Sequence, residues 1–228
     1  MRVFVTGATG FLGSAIVGQL INAGHQVLGL TRSEAGVQSL LSMGAQAHIG
    51  DIENLDSLQH GASLADAVIH TAFNHDFSTF VANCETDRQA IEAMGSALLD
   101  SDRPLIITSI AGLGAMTKGQ LASEEYFNAD SPNPRKASEL AGIALAQRGV
   151  NVSVVRLPQV HDCVKQGLIS PLIELAREKG VSAYLNDGEN RWAAVHINDA
   201  ARLYVLALEI FPHGFYAGNL VYLRANLA

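Results

Sequence analysis

The sequence has few charged residues and almost no cysteine. Charged residues make up 16% of its 228 residues, and the formal net charge is −7. Because no stretch is rich in lysine or arginine, the sequence lacks the basic surface that attracts nucleic acids or anionic membranes. The two cysteines, Cys84 and Cys163, provide neither a disulfide framework nor the spacing of a metal site. We therefore expect a cytoplasmic protein that binds no nucleic acid, membrane or metal.

Long apolar runs, internal repeats and low-complexity linkers are also absent. Residues 1–21 are mostly apolar but are interrupted by glycines, and no apolar run reaches the roughly 18 residues of a membrane span. Hydrophobic residues nevertheless make up 48% of the chain, which is enough for a substantial core. The simplest prediction is one domain over residues 1–228.

The chain does contain a regular alternation of short apolar runs and helix-like stretches. The apolar runs are Val3–Thr6, Val27–Thr31, Gln46–Ile49, Ala67–Thr71, Leu105–Thr108 and Val152–Leu157. The helix-like stretches are Phe11–Ala23, Ala35–Met43, Leu55–Gly61, Phe80–Leu99, Arg135–Gln147, Ser170–Lys179 and Asp199–Ile210. Apolar runs without in–out alternation are typical of parallel strands buried on both faces. The alternation predicts an α/β fold with a doubly wound parallel sheet.

A glycine-rich motif, TGATGFLG, connects the first predicted strand to the first predicted helix. Gly7 permits a tight turn, Gly10 lets the backbone approach a ligand, and Gly13 lets the helix pack against the strand. The N-terminus of the helix then offers free N–H groups and a partial positive charge to a pyrophosphate. We predict a dinucleotide site with these residues around the phosphates: Gly7, Thr9, Gly10, Phe11, Leu12 and Gly13.

The end of the second predicted strand indicates which dinucleotide is bound. A site that selects NAD places an acid there for the ribose 2′-hydroxyl, whereas this chain has Arg32 and Ser33. Arg32 can pair with a 2′-phosphate, which favours NADP(H) over NAD(H). The neighbouring Glu34 complicates this prediction, and a solvated loop arginine is the simpler alternative.

With its later motifs, the sequence resembles the extended and atypical short-chain dehydrogenase/reductases, the NAD(P)-dependent epimerase/dehydratase group. The resemblance runs from Arg2 to about Glu209 and implies a Rossmann-type sheet. It also implies further cofactor contacts: Asp51 and Ile52 at the adenine, Thr71 and Ala72 at the nicotinamide ribose, and Leu157 and Pro158 at the nicotinamide.

The catalytic residues of this family are matched only in part. The family uses a serine or threonine that holds the substrate carbonyl, a tyrosine that transfers the proton, and a lysine four residues later. Ser109 matches the serine, but Arg135 stands in the tyrosine's place and Glu139 in the lysine's place. The resemblance therefore implies cofactor binding without the usual proton relay.

Two hypotheses about function stay open. In the first, the protein is an oxidoreductase on a small carbonyl or alcohol: Ser109 polarises the carbonyl, Tyr126 supplies the proton, and Arg135 and Glu139 form an ion pair that positions substrate or water. In the second, it binds NADP(H) without turnover and acts as a redox sensor. A sugar-nucleotide epimerase or dehydratase is less favoured, because both reactions need the missing tyrosine. The simpler alternatives are a packed loop anchor for Tyr126 and an exposed surface pair for Arg135 and Glu139.

The resemblance also bears on the end of the chain and on partners. Family members usually continue well beyond the segment that matches Asp199–Glu209. We therefore expect residues 158–228 to form a small, shortened substrate region that is either open or covered by a partner subunit. Relatives often dimerise through their fourth and fifth helices, so a homodimer is a further expectation.

Overall fold

Seven parallel strands form the central sheet in this computed structural model, which describes residues 1–115, 121–189 and 192–210 and the backbone of residues 221–224. The described residues contain nine strands in all: β1 (Arg2–Thr6), β2 (Gln26–Thr31), β3 (Gln46–Ile49), β4 (Ala67–His70), β5 (Leu105–Ile110), β6 (Val152–Leu157), β7 (Gln159–His161), β8 (Ala194–His196) and β9 (Val221–Arg224). Their order in the main sheet is β3-β2-β1-β4-β5-β6-β9, and β7 and β8 form a separate parallel pair.

The helices connect consecutive strands and cover both faces of the sheet. They are α1 (Phe11–Asn22), α2 (Glu34–Ser42), α3 (Leu55–Ser63), α4 (Phe80–Ser96), α5 (Lys136–Gln147), α6 (Ser170–Lys179) and α7 (Ile197–Ile210). Helices α1 and α7 pack against each other, and α4 packs against both α3 and α5. No helix in the described ranges is both long enough and apolar enough to cross a membrane.

Strands β1, β2, β4, β5 and β6 supply side chains to two separate cores because neighbouring residues point to opposite faces. Val3 and Val5 pack in one core with Ile16 and Leu20 of α1, whereas Phe4 packs in the other core. All five of these side chains are fully buried. Burying a side chain of this kind stabilises the fold by about 1.5–3 kcal/mol, so β1 is a central stabilising element.

The strand order reverses between β1 and β4, and this reversal locates the ligand-binding region. Because the strands are parallel, they all end at the same edge of the sheet, here called the carboxyl edge. Folds of this type bind ligands outside the carboxyl ends of the strands, at the point where the order reverses. The segments that follow β1, β4 and β5 therefore carry the candidate site.

The predicted Rossmann-type sheet is confirmed, and the bounds of its elements differ by only a few residues. Strand β5 continues two residues beyond the prediction, to Ile110, and α4 ends at Ser96 instead of Leu99. Strands β7, β8 and β9 are additions that the sequence pattern did not predict. They have three or four residues each, too few to show a periodicity. The predicted substrate region, 158–228, lies partly outside the described residues.

Candidate active site

Three glycines shape the turn between β1 and α1. Gly7 has a φ of +69°, in the left-handed region, and a Cβ there would lie 2.8 Å from the backbone nitrogen of Ala72. Gly10 donates its N–H to the carbonyl oxygen of Gly7 at 2.8 Å. A Cβ on Gly13 would lie only 1.9 Å from that oxygen, so a larger residue would push the helix away. Backbone atoms therefore leave no room for a side chain at Gly7 or Gly13.

Helix α1 begins at this turn with a free N-terminus. Gly10 has extended backbone, and no side chain of the described residues caps the helix. The first N–H groups of a helix have no partner within it, so an uncapped end favours an anion. Three predicted cofactor residues lie here: Thr9 is exposed, and Phe11 and Leu12 are half-buried.

The predicted adenine and ribose contacts meet at one corner of the carboxyl edge. The Nη1 atom of Arg32 lies 3.5 Å from a carboxylate oxygen of Asp51, and the Arg32 side chain is 80% exposed. Ser33 caps α2 by accepting the N–H of Gly36 at 3.1 Å. Ile52 is half-buried and packs against the core. Arg32 thus projects into solvent with one weak partner, and its charge is accessible to a ligand.

A chain of hydrogen bonds begins between β1 and β4. The hydroxyl oxygen of Thr6 accepts the N–H groups of Thr71 at 3.2 Å and Ala72 at 3.3 Å. With its lone pairs occupied, Thr6 donates its proton to Nδ1 of His70 at 2.7 Å. His70 therefore carries its proton on Nε2, which donates to Asp87 at 3.1 Å. This chain ties the segment after β4 to helix α4.

Asp87 receives two more hydrogen bonds from the N-terminal end of α5. Its second carboxylate oxygen accepts from Arg135 at 2.5 Å and from Ser138 at 2.7 Å. Burial by itself raises the pKa of Asp87, but the Arg135 charge and the hydrogen bonds from His70 and Ser138 outweigh it and lower the pKa to about 2. The carboxylate of Asp87 is thus the centre of a buried polar cluster.

The expected ion pair between Arg135 and Glu139 is wrong. Arg135 directly precedes α5 and Glu139 lies in its first turn, but each pairs with a different element, Arg135 with Asp87 on α4 and Glu139 with Arg156 on β6. The alternative of an exposed surface pair is wrong as well, because Arg135 is 6% and Glu139 0% exposed. The carboxylates of Asp87 and Glu139 are both fully buried. Each pairs with an arginine because a buried charge without a partner destabilises the fold.

Arg135 is further held by the segments that follow β4 and β5. Its Nη2 donates to the carbonyl oxygen of Thr108 at 3.2 Å, and its guanidinium carbon lies 4.1 Å from the ring centroid of Phe73. An arginine side chain enclosed in this way provides no mobile proton donor. Its contacts join β5, α4 and the segment after β4.

Ser109 and Glu139 form the closest polar contact at the end of β5. The Ser109 hydroxyl donates to Oε1 of Glu139 at 2.5 Å. Arg156 on β6 donates two hydrogen bonds to the same carboxylate, from Nε to Oε1 at 3.0 Å and from Nη2 to Oε2 at 2.7 Å. Ser109 and Arg156 are partners in the β5–β6 register, which explains why both reach Glu139. The fold thus brings together two predicted catalytic residues, Ser109 and Glu139.

Tyr126 joins this cluster through its backbone. Its carbonyl oxygen accepts from Nη1 of Arg156 at 2.7 Å, and its side chain is half-buried. Leu157 and Pro158, the predicted nicotinamide contacts, follow Arg156 directly and are half-buried at the end of β6. These residues therefore lie on one side of the carboxyl edge, opposite the glycine turn.

The segment after β4 adds a group of rings beside Arg135. His75 packs edge-on against Phe73, with centroids 5.3 Å apart, and Phe77 and Phe80 complete the group. Desolvation by neighbouring atoms, together with the Arg135 charge, lowers the pKa of His75. In the ranges that the structure describes, no three histidine, cysteine, aspartate or glutamate side chains come together in a way that could hold a metal ion.

Two residues of the site were missed in the sequence analysis, Asp87 and Arg156. Arg156 stands alone as a charge in the apolar strand VSVVRL, and a charge buried in a strand needs a partner. That signal was present in the sequence. Asp87 lies in a helix with several charged residues, and nothing in its neighbourhood marks it as the buried one.

The chain matches known proteins over almost its whole length. A family model described as "NAD dependent epimerase/dehydratase family" matches residues 3–215. An uncharacterised protein of Schizosaccharomyces pombe is 46% identical over 210 residues, 92% of this chain and 71% of that protein. The 2-alkyl-3-oxoalkanoate reductase of Stenotrophomonas maltophilia is 26% identical over 239 residues, 99% of this chain and 71% of that protein.

The fold is also similar to that of solved structures. A double mutant of the dTDP-glucose 4,6-dehydratase DesIV from Streptomyces venezuelae, with NAD bound, has a TM-score of 0.75 at 22% identity. The similarity covers 100% of this chain and 76% of the dehydratase. Since the family model covers nearly the whole sequence, this protein belongs to the NAD-dependent epimerase/dehydratase family.

Proposed function

We propose that this protein is an NADP(H)-binding oxidoreductase that interconverts a small alcohol and the corresponding carbonyl compound. The observation that carries this proposal is the hydrogen bond of 2.5 Å from Ser109 to the Glu139 carboxylate, at the carboxyl end of β5. A hydroxyl held on a carboxylate can pass a proton in either direction. The similarity to a reductase supports the same reaction class.

The glycine turn fits the diphosphate of a nicotinamide dinucleotide. A Cβ at Gly7 or Gly13 would collide with backbone atoms, and the uncapped N-terminus of α1 offers N–H groups to an anion. When bound, such a cofactor supplies the hydride donor or acceptor. The residues that would hold it are Gly7, Thr9, Gly10, Phe11, Leu12 and Gly13 at the phosphates, Asp51 and Ile52 at the adenine, and Thr71, Ala72, Leu157 and Pro158 at the nicotinamide side.

Arg32 supports the preference for NADP(H). Its guanidinium is exposed and lies at the end of β2, where this fold places the 2′-substituent of the adenosine ribose. Asp51 at 3.5 Å is a weak competitor, because an exposed pair at this distance is screened by water. A 2′-phosphate carries more charge than this single carboxylate and would attract Arg32 more strongly.

The proton path that we propose runs through Ser109 to Glu139. In alcohol oxidation, the proton of the alcohol oxygen moves to Oγ of Ser109, while the proton of Ser109 moves to Oε1 of Glu139. Carbonyl reduction reverses both transfers and returns the proton to the new alcohol oxygen. Tyr126 is the second proton donor that we propose, since Arg156 holds its carbonyl beside the same cluster.

Cofactor binding without turnover is the second candidate function. It is supported by the burial of the two residues nearest to the expected chemistry, since Ser109 is 1% and Arg135 6% exposed. The only proton of Ser109 is directed at Glu139, and Arg135 is occupied by Asp87. A sensor needs a nucleotide site but no proton path to a substrate, and a Ser109 proton held by Glu139 would favour such a function.

Turnover separates the two candidates. The purified protein is titrated with NADPH and NADH, and a panel of small carbonyls and alcohols is then followed by cofactor absorbance. We expect turnover that falls at least a hundredfold in Ser109→Ala and in Glu139→Gln, because either change breaks the proton path. Ser153→Ala, at a buried serine of β6 away from the carboxyl end, is the matched control and should keep its activity. Binding without any turnover supports the sensor, and no nucleotide binding contradicts both candidates.

A further inference from the structure

We infer that Arg156 is a positioning residue that holds the Glu139 carboxylate and residues 121–128, here called the loop, in a single arrangement. The sequence marks this side chain only as a lone charge in an apolar strand. The kinetic part of the inference rests on the proposed function, whereas the structural part can be tested without any turnover.

Arg156 uses four N–H groups at once, two on a carboxylate and two on backbone carbonyls. Nε and Nη2 donate to Glu139 at 3.0 and 2.7 Å, and Nη1 donates to the carbonyl oxygens of Ser123 and Tyr126 at 2.9 and 2.7 Å. The side chains of Arg156 and Glu139 are 2% and 0% exposed. The planar fork of an arginine can serve these acceptors together, and the three-donor ammonium of a lysine cannot.

One carboxylate oxygen links Arg156 to the reacting end of β5. Oε1 of Glu139 accepts both from Nε of Arg156 and from the hydroxyl of Ser109. The hydrogen bonds from Arg156 fix the position of this oxygen. They therefore also fix the direction in which Ser109 donates its proton. Ser109 and Arg156 occupy paired positions on β5 and β6, so the backbone holds the hydroxyl and the guanidinium in register.

The other side of Arg156 holds the loop. The loop is also tied to the end of β5, because Ser123 donates its N–H to Gly114 at 2.8 Å and Asn128 donates to Leu113 at 2.9 Å. A Cβ on Gly114 would lie 2.8 Å from Nη1 of Arg156 and 2.6 Å from the Ser123 carbonyl oxygen. The guanidinium therefore fills the space between loop and strand. The loop carries Tyr126, so Arg156 also places the second proposed proton donor.

The two partners of this ion pair should consequently have different effects when they are changed. Glu139→Gln removes the proton acceptor and leaves the carbonyls of the loop with their donor. Arg156→Gln removes the hydrogen bonds to Glu139 and also those to the carbonyl oxygens of the loop. A proton-transfer defect alone lowers kcat, whereas a displaced loop also weakens substrate binding and raises KM.

The experiment combines amide hydrogen exchange with steady-state kinetics on the full chain. Exchange of the Ser123 and Asn128 amides is measured in the wild type, Arg156→Gln, Arg156→Lys and Glu139→Gln. The matched control is Arg103→Gln, since Arg103 also holds backbone carbonyls, those of Ala62, Ala65 and Ala97, but is separated from β5's carboxyl end by the length of the strand. Thermal unfolding of each variant reports whether it is folded.

We expect the two loop amides to exchange at least tenfold faster in both Arg156 variants, and at the wild-type rate in Arg103→Gln. Glu139→Gln leaves the buried Arg156 charge without its carboxylate and should lower the unfolding midpoint, but the loop amides should lose less protection than in the Arg156 variants. We expect KM to rise about fivefold or more only in the Arg156 variants, with kcat lowered in these and in Glu139→Gln. Arg156→Lys keeps the charge, so it stays folded if Arg156→Gln does not.

Unchanged loop exchange in a folded Arg156→Lys or Arg156→Gln protein would overturn the inference. An equal loss of loop protection in Arg103→Gln would also overturn it, because the effect would then follow from general loss of stability. If no substrate is turned over by the wild type, the proposed function fails, and the exchange result still decides whether Arg156 positions the loop.

Discussion

The two ends of the carboxyl edge differ in what builds them. At the β1–α1 end, backbone atoms and glycines form the site, and Gly7 and Gly13 are in contacts that exclude a Cβ. At the β5–α5 end, buried charged side chains make it, and the pairs Asp87–Arg135 and Glu139–Arg156 join α4, the N-terminal end of α5 and β6. The first end thus consists of a backbone turn, and the second consists of two buried ion pairs.

This difference teaches where a fold can change its chemistry. This turn tolerates no side chain at Gly7 or Gly13, because a Cβ there would meet backbone atoms that cannot move away. A site made of charge pairs can exchange both partners together, provided that every buried charge stays compensated. Relatives can therefore share the nucleotide side of this fold and differ at the substrate side.

The largest effect is expected at the β5–α5 end with its buried ion pairs, here called the charge-built end. In Asp87→Ala, Arg135 keeps its charge in the core without a carboxylate, and we expect the free energy of unfolding to fall by about 3–5 kcal/mol. Chemical denaturation measures this change. Glu85→Ala on the same helix removes an exposed pair with Arg88 and should leave the midpoint nearly unchanged. Equal effects of the two substitutions would show that the buried pair is dispensable.

The next effect breaks the backbone-built end. Gly13→Ala places a Cβ 1.9 Å from the Gly7 carbonyl oxygen, and we expect a loss of about 3 kcal/mol together with the loss of nucleotide binding. Gly18 lies in the same helix with nothing within 4 Å of its added Cβ. Gly18→Ala should therefore stabilise the protein by about 0.5–1 kcal/mol and keep binding. Binding that survives in Gly13→Ala would contradict the proposed role of this turn.

Acid should weaken the charge-built end selectively. The pKa of Asp87 is lowered from 3.8 to about 2, so its ionised form stabilises the folded state above about pH 4. This contribution, about 2 kcal/mol, is lost as the pH falls through the folded pKa towards 2. Urea denaturation at pH 5 and pH 2.5 measures the loss, which should be smaller in Asp87→Asn. The same pH dependence in both proteins would assign the effect to other carboxylates.

The smallest expected effect concerns the choice between NADPH and NADH at Arg32. Arg32→Ala removes an exposed charge, and we expect NADPH to bind about tenfold more weakly while NADH binds as before. Isothermal titration with both cofactors measures the two constants. Arg177→Ala, an exposed arginine on α6, controls for the loss of one positive charge. An equal loss for NADPH and NADH would place Arg32 away from the 2′-phosphate.

The regular elements could be predicted closely because each depends on neighbours in the chain. The predicted bounds of β3, β6 and α6 agree with the structure, and α1 was predicted one residue too long. Apolar runs and capping residues such as Ser33 and Asn54 carry this information locally. The three short strands after Leu157 could not be predicted, since their pairing depends on segments distant in sequence.

The sequence by itself determined the alternation of the first six strands with their helices and the glycine turn. These features follow from residue type and spacing, which act over a few residues. Only the tertiary structure decided the partners of Arg135 and Glu139. Spacing on the helix favoured a pair between the two, but burial next to Asp87 and Arg156 made pairing across elements the arrangement that leaves no charge uncompensated.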